Sequence, residues 1–271
     1  MYHELRKRGT SNPITDDAVL GGRLRLKQPR RGHRVGHDAI LLAAATAAEP
    51  GERIVDLGAG VGAAGLALAM RVPGITMTLV EIEPELAALA ADNASRNGLA
   101  DRVRTVALDV AAPPRAFAAA GLAPGSAARV LMNPPFSDPN RHRLSPDPGR
   151  RLAYAAHLPL ERWVRSATRL LRPRGKLTLI WRADGMTEVL AALGAAGHGA
   201  MAVLPVHPRP DAPAIRILVA CEKESAVPLV VLPGLVLNDA AGRPTQAAEA
   251  ILRDGASLPL AVARRRSGVA D

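Results

Sequence analysis

The sequence predicts an α/β fold: a seven-stranded, mostly parallel sheet with helices on both faces and an antiparallel C-terminal hairpin. Between residues 51 and 222, short apolar runs rich in β-branched residues alternate with longer alanine- and leucine-rich runs of helical spacing. This alternation is typical of parallel strands connected by helices. The last two apolar runs are separated only by residues 207–214. That connection is too short for a crossover helix, so these two strands should pair antiparallel.

The elements follow in order along the chain. Strands are predicted at 53–57, 76–82, 103–109, 128–133, 176–182, 200–206 and 215–222. Helices are predicted at 38–48, 62–71, 84–97, 158–171 and 187–196. Asp38 is suited to a helix N-cap, Pro84 to a first helical position and Gly98 to a helix end. Ahead of them, residues 18–27 alternate leucines with basic residues, which predicts a strand or hairpin appended to the main sheet.

The chain shows neither an internal repeat nor a long linker, so we expect one domain over residues 1–271. Within it, residues 1–50 form a basic N-terminal extension and residues 51–222 the catalytic core. Residues 223–271 form a C-terminal extension that should pack on the core. With 48% hydrophobic and 22% charged residues, the chain has enough apolar surface to fold, which excludes a disordered protein.

Charge and cysteine content narrow the class of protein further. Thirty-five Lys and Arg against 25 Asp and Glu give a net charge of +10, which suits a polyanionic partner or reflects a GC-rich genome. Cys221 is the only cysteine, so neither an internal disulfide nor a multi-cysteine metal site is possible, and no metal is expected. No apolar run is long enough for a membrane span, and the charged start does not resemble a secretory signal. We expect a cytoplasmic protein.

A glycine-rich turn follows the first core strand. The segment from Asp56 to Gly62 reads DLGAGVG, and Glu81 follows about twenty residues later. On this pattern alone, a dinucleotide-binding oxidoreductase is a fair interpretation. However, Asp56 stands just before the glycines, where a pyrophosphate would be repelled, and Asp109 ends the third strand. Three acidic strand ends favour a ligand with a cationic centre, ribose hydroxyls and an adenine amine.

The segment VDLGAGVG resembles the first motif of class I S-adenosylmethionine-dependent methyltransferases, and LVEIEP resembles their second. The resemblance implies a Rossmann-like fold with S-adenosyl-L-methionine as cofactor. Gly58 and Gly60 would then line its methionine and ribose, Glu81 would accept the ribose hydroxyls, and Asp109 would accept the adenine amine. Asp56 would act through the loop or water. The alternative for Asp109 is a simple strand-end cap.

The tetrapeptide Asn133-Pro134-Pro135-Phe136 ends the fourth strand. Two prolines cannot continue a ladder, so the chain must leave the sheet in a rigid turn. The Asn133 amide oxygen and the Pro134 carbonyl can accept both hydrogens of a planar amino group, and Phe136 can stack on the base that carries it. The tetrapeptide resembles the (N/D)PP(Y/F) motif of methyltransferases that modify amino nitrogens conjugated to π systems. This implies catalytic roles for Asn133, Pro134 and Phe136, with Asn133 also beside the cofactor.

A broader resemblance covers roughly residues 16–255. The segment 20–44 and residues 133–182 are similar to the bacterial family that methylates adenine N6 next to the anticodon of a valine tRNA. The implied substrate is therefore the anticodon loop of a tRNA. Protein-glutamine N5-methylation and amino-methylation of rRNA are the alternatives, and an NAD-dependent oxidoreductase or a non-catalytic RNA-binding protein is less favoured.

Two basic clusters flank the acidic core in sequence, and we expect them to contact tRNA phosphates. The predicted RNA-binding residues are Arg23, Arg25, Lys27, Arg30, Arg31 and Arg34 in the first cluster, with Arg141, Arg143, Arg150 and Arg151 in the second.

Overall fold

The computed structural model describes residues 13–30, 34–135 and 158–261. A nine-stranded sheet dominates this part of the chain. Its core strands are β3 (Arg53–Leu57), β4 (Thr76–Glu81), β5 (Val103–Ala107), β6 (Ala127–Met132), β7 (Leu171–Arg182), β8 (His198–His207) and β9 (Arg216–Lys223). Two short strands, β10 (Val230–Val231) and β11 (Leu235–Val236), complete it. The strand order is β10-β8-β9-β7-β6-β3-β4-β5, and β11 also pairs with β8. The predicted seven-stranded core is therefore confirmed.

One core strand runs against the others. β9 pairs antiparallel with both β7 and β8, while β3 pairs parallel with β4 and β6, and β4 with β5. The predicted antiparallel hairpin is the β8–β9 pair. β9 inserts between β7 and β8, so the three adjacent strands alternate in direction.

Helices cover both faces of the sheet, as predicted. On one face, α1 (His37–Ala45), α2 (Ala63–Arg71) and α3 (Pro84–Arg96) pack against Ile54, Leu79 and Leu131. On the other, α4 (Pro114–Ala119), α5 (Leu160–Leu170) and α6 (Met186–Ala195) pack against strand residues of opposite parity. This parity follows from the two-residue side-chain period of a strand. Both faces are apolar, so a buried parallel strand reads as a continuous hydrophobic run.

The sequence predictions for the helices need two corrections. Asp38 does not cap α1: Gly36 is the N-cap, and Asp38 lies in the first turn, where it pairs with Arg216 at 2.9 Å. The six-residue helix α4 was missed, because its prolines and small alanines give no strong helical period. Pro84 and Gly98 stand at the start and just past the end of α3, as expected.

The N-terminal segment forms a hairpin of β1 (Ile14–Val19) and β2 (Leu24–Pro29). The prediction that it joins the main sheet is wrong, because it makes a separate two-stranded sheet on α3. The side-chain amide of Asn93 accepts from Lys27 N–H (2.8 Å) and donates to Lys27 C=O (3.0 Å). Asn97 bonds Arg25 N–H and C=O in the same way. Two asparagines one helical turn apart thus satisfy the free backbone edge of β2.

After β9, the chain returns along the sheet edge. β10 (Val230–Val231) and β11 (Leu235–Val236) pair parallel with β8, and α7 (Gln246–Leu252) follows. Ile251 and Leu258 are buried in the same core as α1, and Leu258 N–H donates to the Ala44 carbonyl at 2.8 Å. Across residues 13–30, 34–135 and 158–261, none of the helices has the length and apolarity of a membrane span.

Candidate active site

The glycine loop connects β3 to α2 at the carboxyl edge of the sheet. Gly58, Gly60 and Gly62 all have positive φ angles of 75°, 57° and 90°, a region that favours glycine. The Gly58 and Ala59 N–H groups both donate to the Val80 carbonyl at 2.9 Å, which ties the loop to the end of β4. A Cβ atom at Gly60 would meet nothing within 4 Å. The loop is therefore open at Gly60, where a ligand can approach the backbone closely.

Asp56 lies beneath this loop rather than on its open side. Its side chain is 2% exposed, and Oδ2 accepts from Gly65 N–H at 2.9 Å. Burial raises the pKa of Asp56 to about 7, with the nearby Glu81 carboxylate adding to the rise and the Gly65 bond opposing it. Asp56 thus fixes the first turn of α2 to the end of β3.

Asp56→Asn should flatten the pH dependence of stability. Because the pKa of Asp56 is about 7 in the folded chain and about 3.9 in an unfolded one, folding retains a proton that unfolding releases. The unfolding free energy of the parent chain therefore falls as pH rises from about 4 to about 7. The amide that replaces the carboxyl group keeps an oxygen that can accept from Gly65 N–H, so the variant should show a shallower fall in urea titrations across this window. Parallel profiles for variant and parent would contradict this, and Asp101→Asn, at an exposed carboxylate, serves as control.

Gly65 is required for close packing of α2. A Cβ there would lie 2.4 Å from Leu79 Cδ2 and 3.1 Å from Asp56 Oδ2. We expect Gly65→Ala to lower the unfolding free energy by about 1–3 kcal/mol, the usual cost of overpacking. Gly194→Ala in α6 is the matched control, because a Cβ there meets nothing within 4 Å. The control should be neutral or stabilise by up to about 1 kcal/mol in the same urea titration. Equal losses in the two variants would contradict the packing argument.

Glu81 is the last residue of β4 and faces the glycine loop. It is 6% exposed, its Oε2 accepts from Gly60 N–H at 2.7 Å, and its Oε1 accepts from Glu83 N–H at 3.0 Å. Burial raises the pKa of Glu81, and these backbone hydrogen bonds oppose the rise. A carboxylate has about four acceptor positions, so Glu81 can accept two further donors.

Asp109 lies two residues beyond β5, on a half-buried turn. Its Oδ1 accepts from Ala111 N–H at 2.7 Å, and its carbonyl accepts from Ala112 N–H at 2.9 Å. Asp109 therefore does cap the turn. Its Oδ2 makes no hydrogen bond within the described parts of the chain, so that oxygen can accept from a ligand.

Asn133 directly follows β6, and Pro134 after it is buried. Among the residues that the structure describes, none bonds to the side-chain amide of Asn133. The parallel pairings Leu57↔Met132, Leu57↔Val80 and Glu81↔Ala107 place the ends of these strands at one edge. The structure thus brings Asp56, Gly58, Gly60, Glu81, Asp109 and Asn133 to four adjacent strand ends. Phe136 lies outside the described residues.

Sequence reasoning missed Trp163 as a neighbour of the glycine loop. A Cβ at Gly58 would lie 2.8 Å from the Trp163 ring, so only glycine fits there. Trp163 is 3% exposed, and its indole N–H has no acceptor among the described residues. Its position on α5, far along the chain, gave no sign of this contact. Its rarity was the one available signal, because the chain has two tryptophans.

Most of the described basic residues that were predicted to bind RNA already form ion pairs or hydrogen bonds within the protein. Arg25 pairs with Asp16 (3.2 Å), Lys27 with Asp92 (2.9 Å) and Arg34 with Asp17 (2.9 Å). Arg23 donates to the carbonyls of Leu20 and Arg253. Arg30 is exposed and has no ion pair within the described residues. Arg31, Arg141, Arg143, Arg150 and Arg151 lie outside them. A search of the described residues finds no cluster of His, Cys, Asp and Glu suited to a metal.

The profile of the methyltransferase small domain family matches residues 33–194, and the chain belongs to this family. Its relatives include the tRNA1(Val) (adenine(37)-N6)-methyltransferase of Tolumonas auensis, 30% identical over 64% of this chain and 68% of that protein. The enzyme of that name from Porphyromonas gingivalis strain ATCC 33277 is 31% identical, over 58% of this chain and 61% of its own length. The match therefore spans less than two thirds of the Porphyromonas protein. The family resemblance stated from the sequence is confirmed.

Solved structures place the fold in the same class. The crystal structure of a predicted O-methyltransferase from Agrobacterium tumefaciens superposes with a TM-score of 0.69 at 30% identity, covering 82% of this chain and 98% of that one. The structure of Pyrococcus horikoshii TYW2 with MeSAdo has a TM-score of 0.55 at 14% identity, over 79% of this chain and 73% of that one. The second likeness supports the fold alone.

The cofactor of this site is S-adenosyl-L-methionine, and the residues present fit it. The backbone is open at Gly60, and the buried Glu81 carboxylate lies at the next strand end. At the strand end after that, Asp109 Oδ2 has no hydrogen-bond partner among the described residues. Carboxylates of this kind suit ribose hydroxyls, an exocyclic amine and a sulfonium charge. The prediction of this cofactor from the sequence is confirmed.

Proposed function

We propose that the protein transfers a methyl group from S-adenosyl-L-methionine to the N6 amino group of an adenine in tRNA, at the anticodon-adjacent position of a valine tRNA. One observation carries the chemistry: Asn133 and Pro134 directly follow β6, the strand next to β3 and its glycine loop. An acceptor pair for an amino group therefore stands beside a cofactor cradle. We base the choice of tRNA as substrate on the names of the relatives.

For the cofactor, we assign Gly58 and Gly60 to the methionine and ribose. Glu81 would accept both ribose hydroxyls, exchanging or sharing its bond from Gly60 N–H. Asp109 would accept a hydrogen bond from the adenine amine through Oδ2, while Oδ1 keeps its hydrogen bond from Ala111 N–H. Asp56 is assigned an indirect role, because its carboxylate holds Gly65 under the loop.

Asn133 and Pro134 would hold the reacting nitrogen. The lone pair of an aromatic amine is delocalised into the ring, so this nitrogen is a weak nucleophile. When the Asn133 amide oxygen and the Pro134 carbonyl each accept one N–H, the nitrogen is drawn towards tetrahedral geometry and its lone pair is freed. S-adenosyl-L-methionine, when bound, would supply an electrophilic methyl group, and the nitrogen that accepts it would release one of its two N–H protons to solvent. Positioning of the nitrogen by these two acceptors would then provide most of the rate enhancement. We assign the stacking of the target base to Phe136.

The predicted phosphate-binding residues differ in whether an existing ion pair must break before a phosphate can bind. Arg25, Lys27 and Arg34 must exchange a carboxylate for a phosphate, since each holds an aspartate. Arg30 can bind without such an exchange. We assign the remaining predicted residues Arg31, Arg141, Arg143, Arg150 and Arg151 to the same role. We also propose that residues 1–271 act as one domain and that the protein works in the cytoplasm, where tRNA is modified.

The test is methyl transfer to tRNA. The purified chain is incubated with methyl-labelled cofactor and unmodified valine tRNA, and the label is mapped to a nucleoside and a position. A matched transcript with guanine at the anticodon-adjacent adenine is the control. We expect N6-methyladenosine at that position and no label in the control. Labelling of a host protein fraction without any labelling of RNA would overturn the proposal in favour of glutamine N5-methylation.

A further inference from the structure

We propose that the outer face of α4 and α5, centred on Arg115, Arg162 and Arg165, is a docking surface for the phosphates of the RNA substrate. This assignment rests on the proposed function, since it names where the RNA lies around the site. It adds a surface on the side of the site away from the hairpin, with none of the basic residues predicted from the sequence to bind RNA.

The first support is the placement of α5. The ring of Trp163 packs against Gly58 in the glycine loop. One turn further on, Ser166 Oγ donates to the Val110 carbonyl at 2.7 Å, directly after Asp109. α5 therefore lies along both the loop and the end of β5. The N-terminal half of α5 therefore borders the edge of the sheet where Asp109 and Asn133 stand.

The second support is the helical register. Residues three apart lie on the same side of a helix, about one turn along its axis. Arg162 and Arg165 have this spacing and are both exposed, whereas Trp163, Val164 and Ala167 are buried. Their guanidinium groups therefore extend from one outer stripe of α5.

Neighbouring residues hold this stripe next to α4. The Arg169 guanidinium lies 5.0 Å from the ring centroid of Phe117 and donates to the Ala112 carbonyl at 3.5 Å. Phe117 is a buried residue of α4, and Arg115 is exposed on the same short helix. Arg115 therefore lies on the helix that α5 contacts through Arg169 and Phe117, and we include it in the proposed surface.

The third support is charge. Within the described residues, Arg115, Arg162 and Arg165 form no ion pair and no side-chain hydrogen bond. α4 has no acidic residue, and Glu161 is the single carboxylate of α5. The first basic cluster differs, because Arg25, Lys27 and Arg34 each already hold an aspartate. A phosphate can bind the guanidinium fork in a bidentate manner without displacing a carboxylate.

The test measures tRNA binding as a function of salt for the full chain and for Arg162→Ala/Arg165→Ala. Binding is measured without methyl transfer, so it is independent of the chemistry. We expect the affinity for unmodified tRNA to fall about 10- to 100-fold at low salt. The slope of log affinity against log salt should become shallower by about one to two, since each lost phosphate contact removes about 0.7–0.9. Cofactor binding should be unchanged, which excludes loss of the fold.

Arg53→Ala/Arg102→Ala is the matched control. It removes two charges from the starts of β3 and β5, at the opposite edge of the sheet, and we expect less than about a threefold effect. Near-normal binding by the α5 variant, or an equal loss in the control, would overturn this surface while leaving methyl transfer to tRNA intact. An affinity loss with an unchanged salt slope would overturn it as well. Failure of the parent chain to bind tRNA would overturn the proposed substrate together with this surface.

Discussion

Asn133→Ala should abolish methyl transfer while leaving cofactor affinity within about threefold of the parent chain. The amide oxygen is free within the described residues and stands at the end of β6, so its removal deprives the reacting nitrogen of one of two acceptors. Loss of a single polar group of this kind costs about 10²–10³ in rate, and lost positioning adds to it. Single-turnover transfer to unmodified tRNA and calorimetry with the cofactor measure the two effects separately.

Asn133→Asp is the conservative control. It keeps an acceptor oxygen at the same position, and we expect it to retain more transfer than the alanine variant. Simultaneous loss of cofactor affinity and transfer in Asn133→Ala would contradict the division between a cradle at the glycine loop and an acceptor pair at β6. So would full activity of the alanine variant.

Glu81→Ala should weaken cofactor binding by about 100-fold or more. The substitution removes the buried carboxylate assigned to both ribose hydroxyls, and hydrogen bonds to a charged group contribute about 1.5–3 kcal/mol each. It also deprives Gly60 N–H of its acceptor at 2.7 Å, so the loop loses the contact that holds it. Calorimetric titration of the variant with S-adenosyl-L-methionine measures the loss.

Glu85→Ala provides the control for Glu81. Glu85 is an exposed carboxylate in the first turn of α3, so its removal should change affinity less than about twofold. A loss of under about fivefold in Glu81→Ala, or comparable losses in the two variants, would refute the assignment. A thermal scan of each variant checks that the fold is retained.

The sequence predicted the core strands well because most are buried on both faces and read as continuous apolar runs. For the same reason, the strand ends could be located, and the four that hold Asp56, Glu81, Asp109 and Asn133 lie side by side in the sheet. The hydrogen-bond partners of these side chains could not be predicted. Asp56 pairs in register with Leu79, so Glu81 stands two residues nearer the carboxyl edge. Asp56 therefore bonds Gly65 in α2, whereas Glu81 bonds Gly60 in the loop.

Long-range pairing limited the prediction in two places. The placement of the hairpin depends on Asn93 and Asn97, almost seventy residues away, and nothing in a local pattern reveals such a partner. Residues 21–34 also carry fewer unpaired positive charges than their sequence suggests. Asp16, Asp17 and Asp92 neutralise three of these charges in space, whereas Arg162 and Arg165 on a helix read as ordinary surface residues.

The amide contacts between α3 and β2 also close one strand edge on which another chain could add. A two-stranded hairpin is marginal by itself, and an open strand edge is a template on which another chain can add and aggregate. Asn93 and Asn97 occupy the backbone donors and acceptors of Arg25 and Lys27 that an incoming strand would need. Because those bonds run to a helix of the same chain, the hairpin gains this stability when the chain itself folds. The outer edge of β2 is thus closed to strand addition without a third strand.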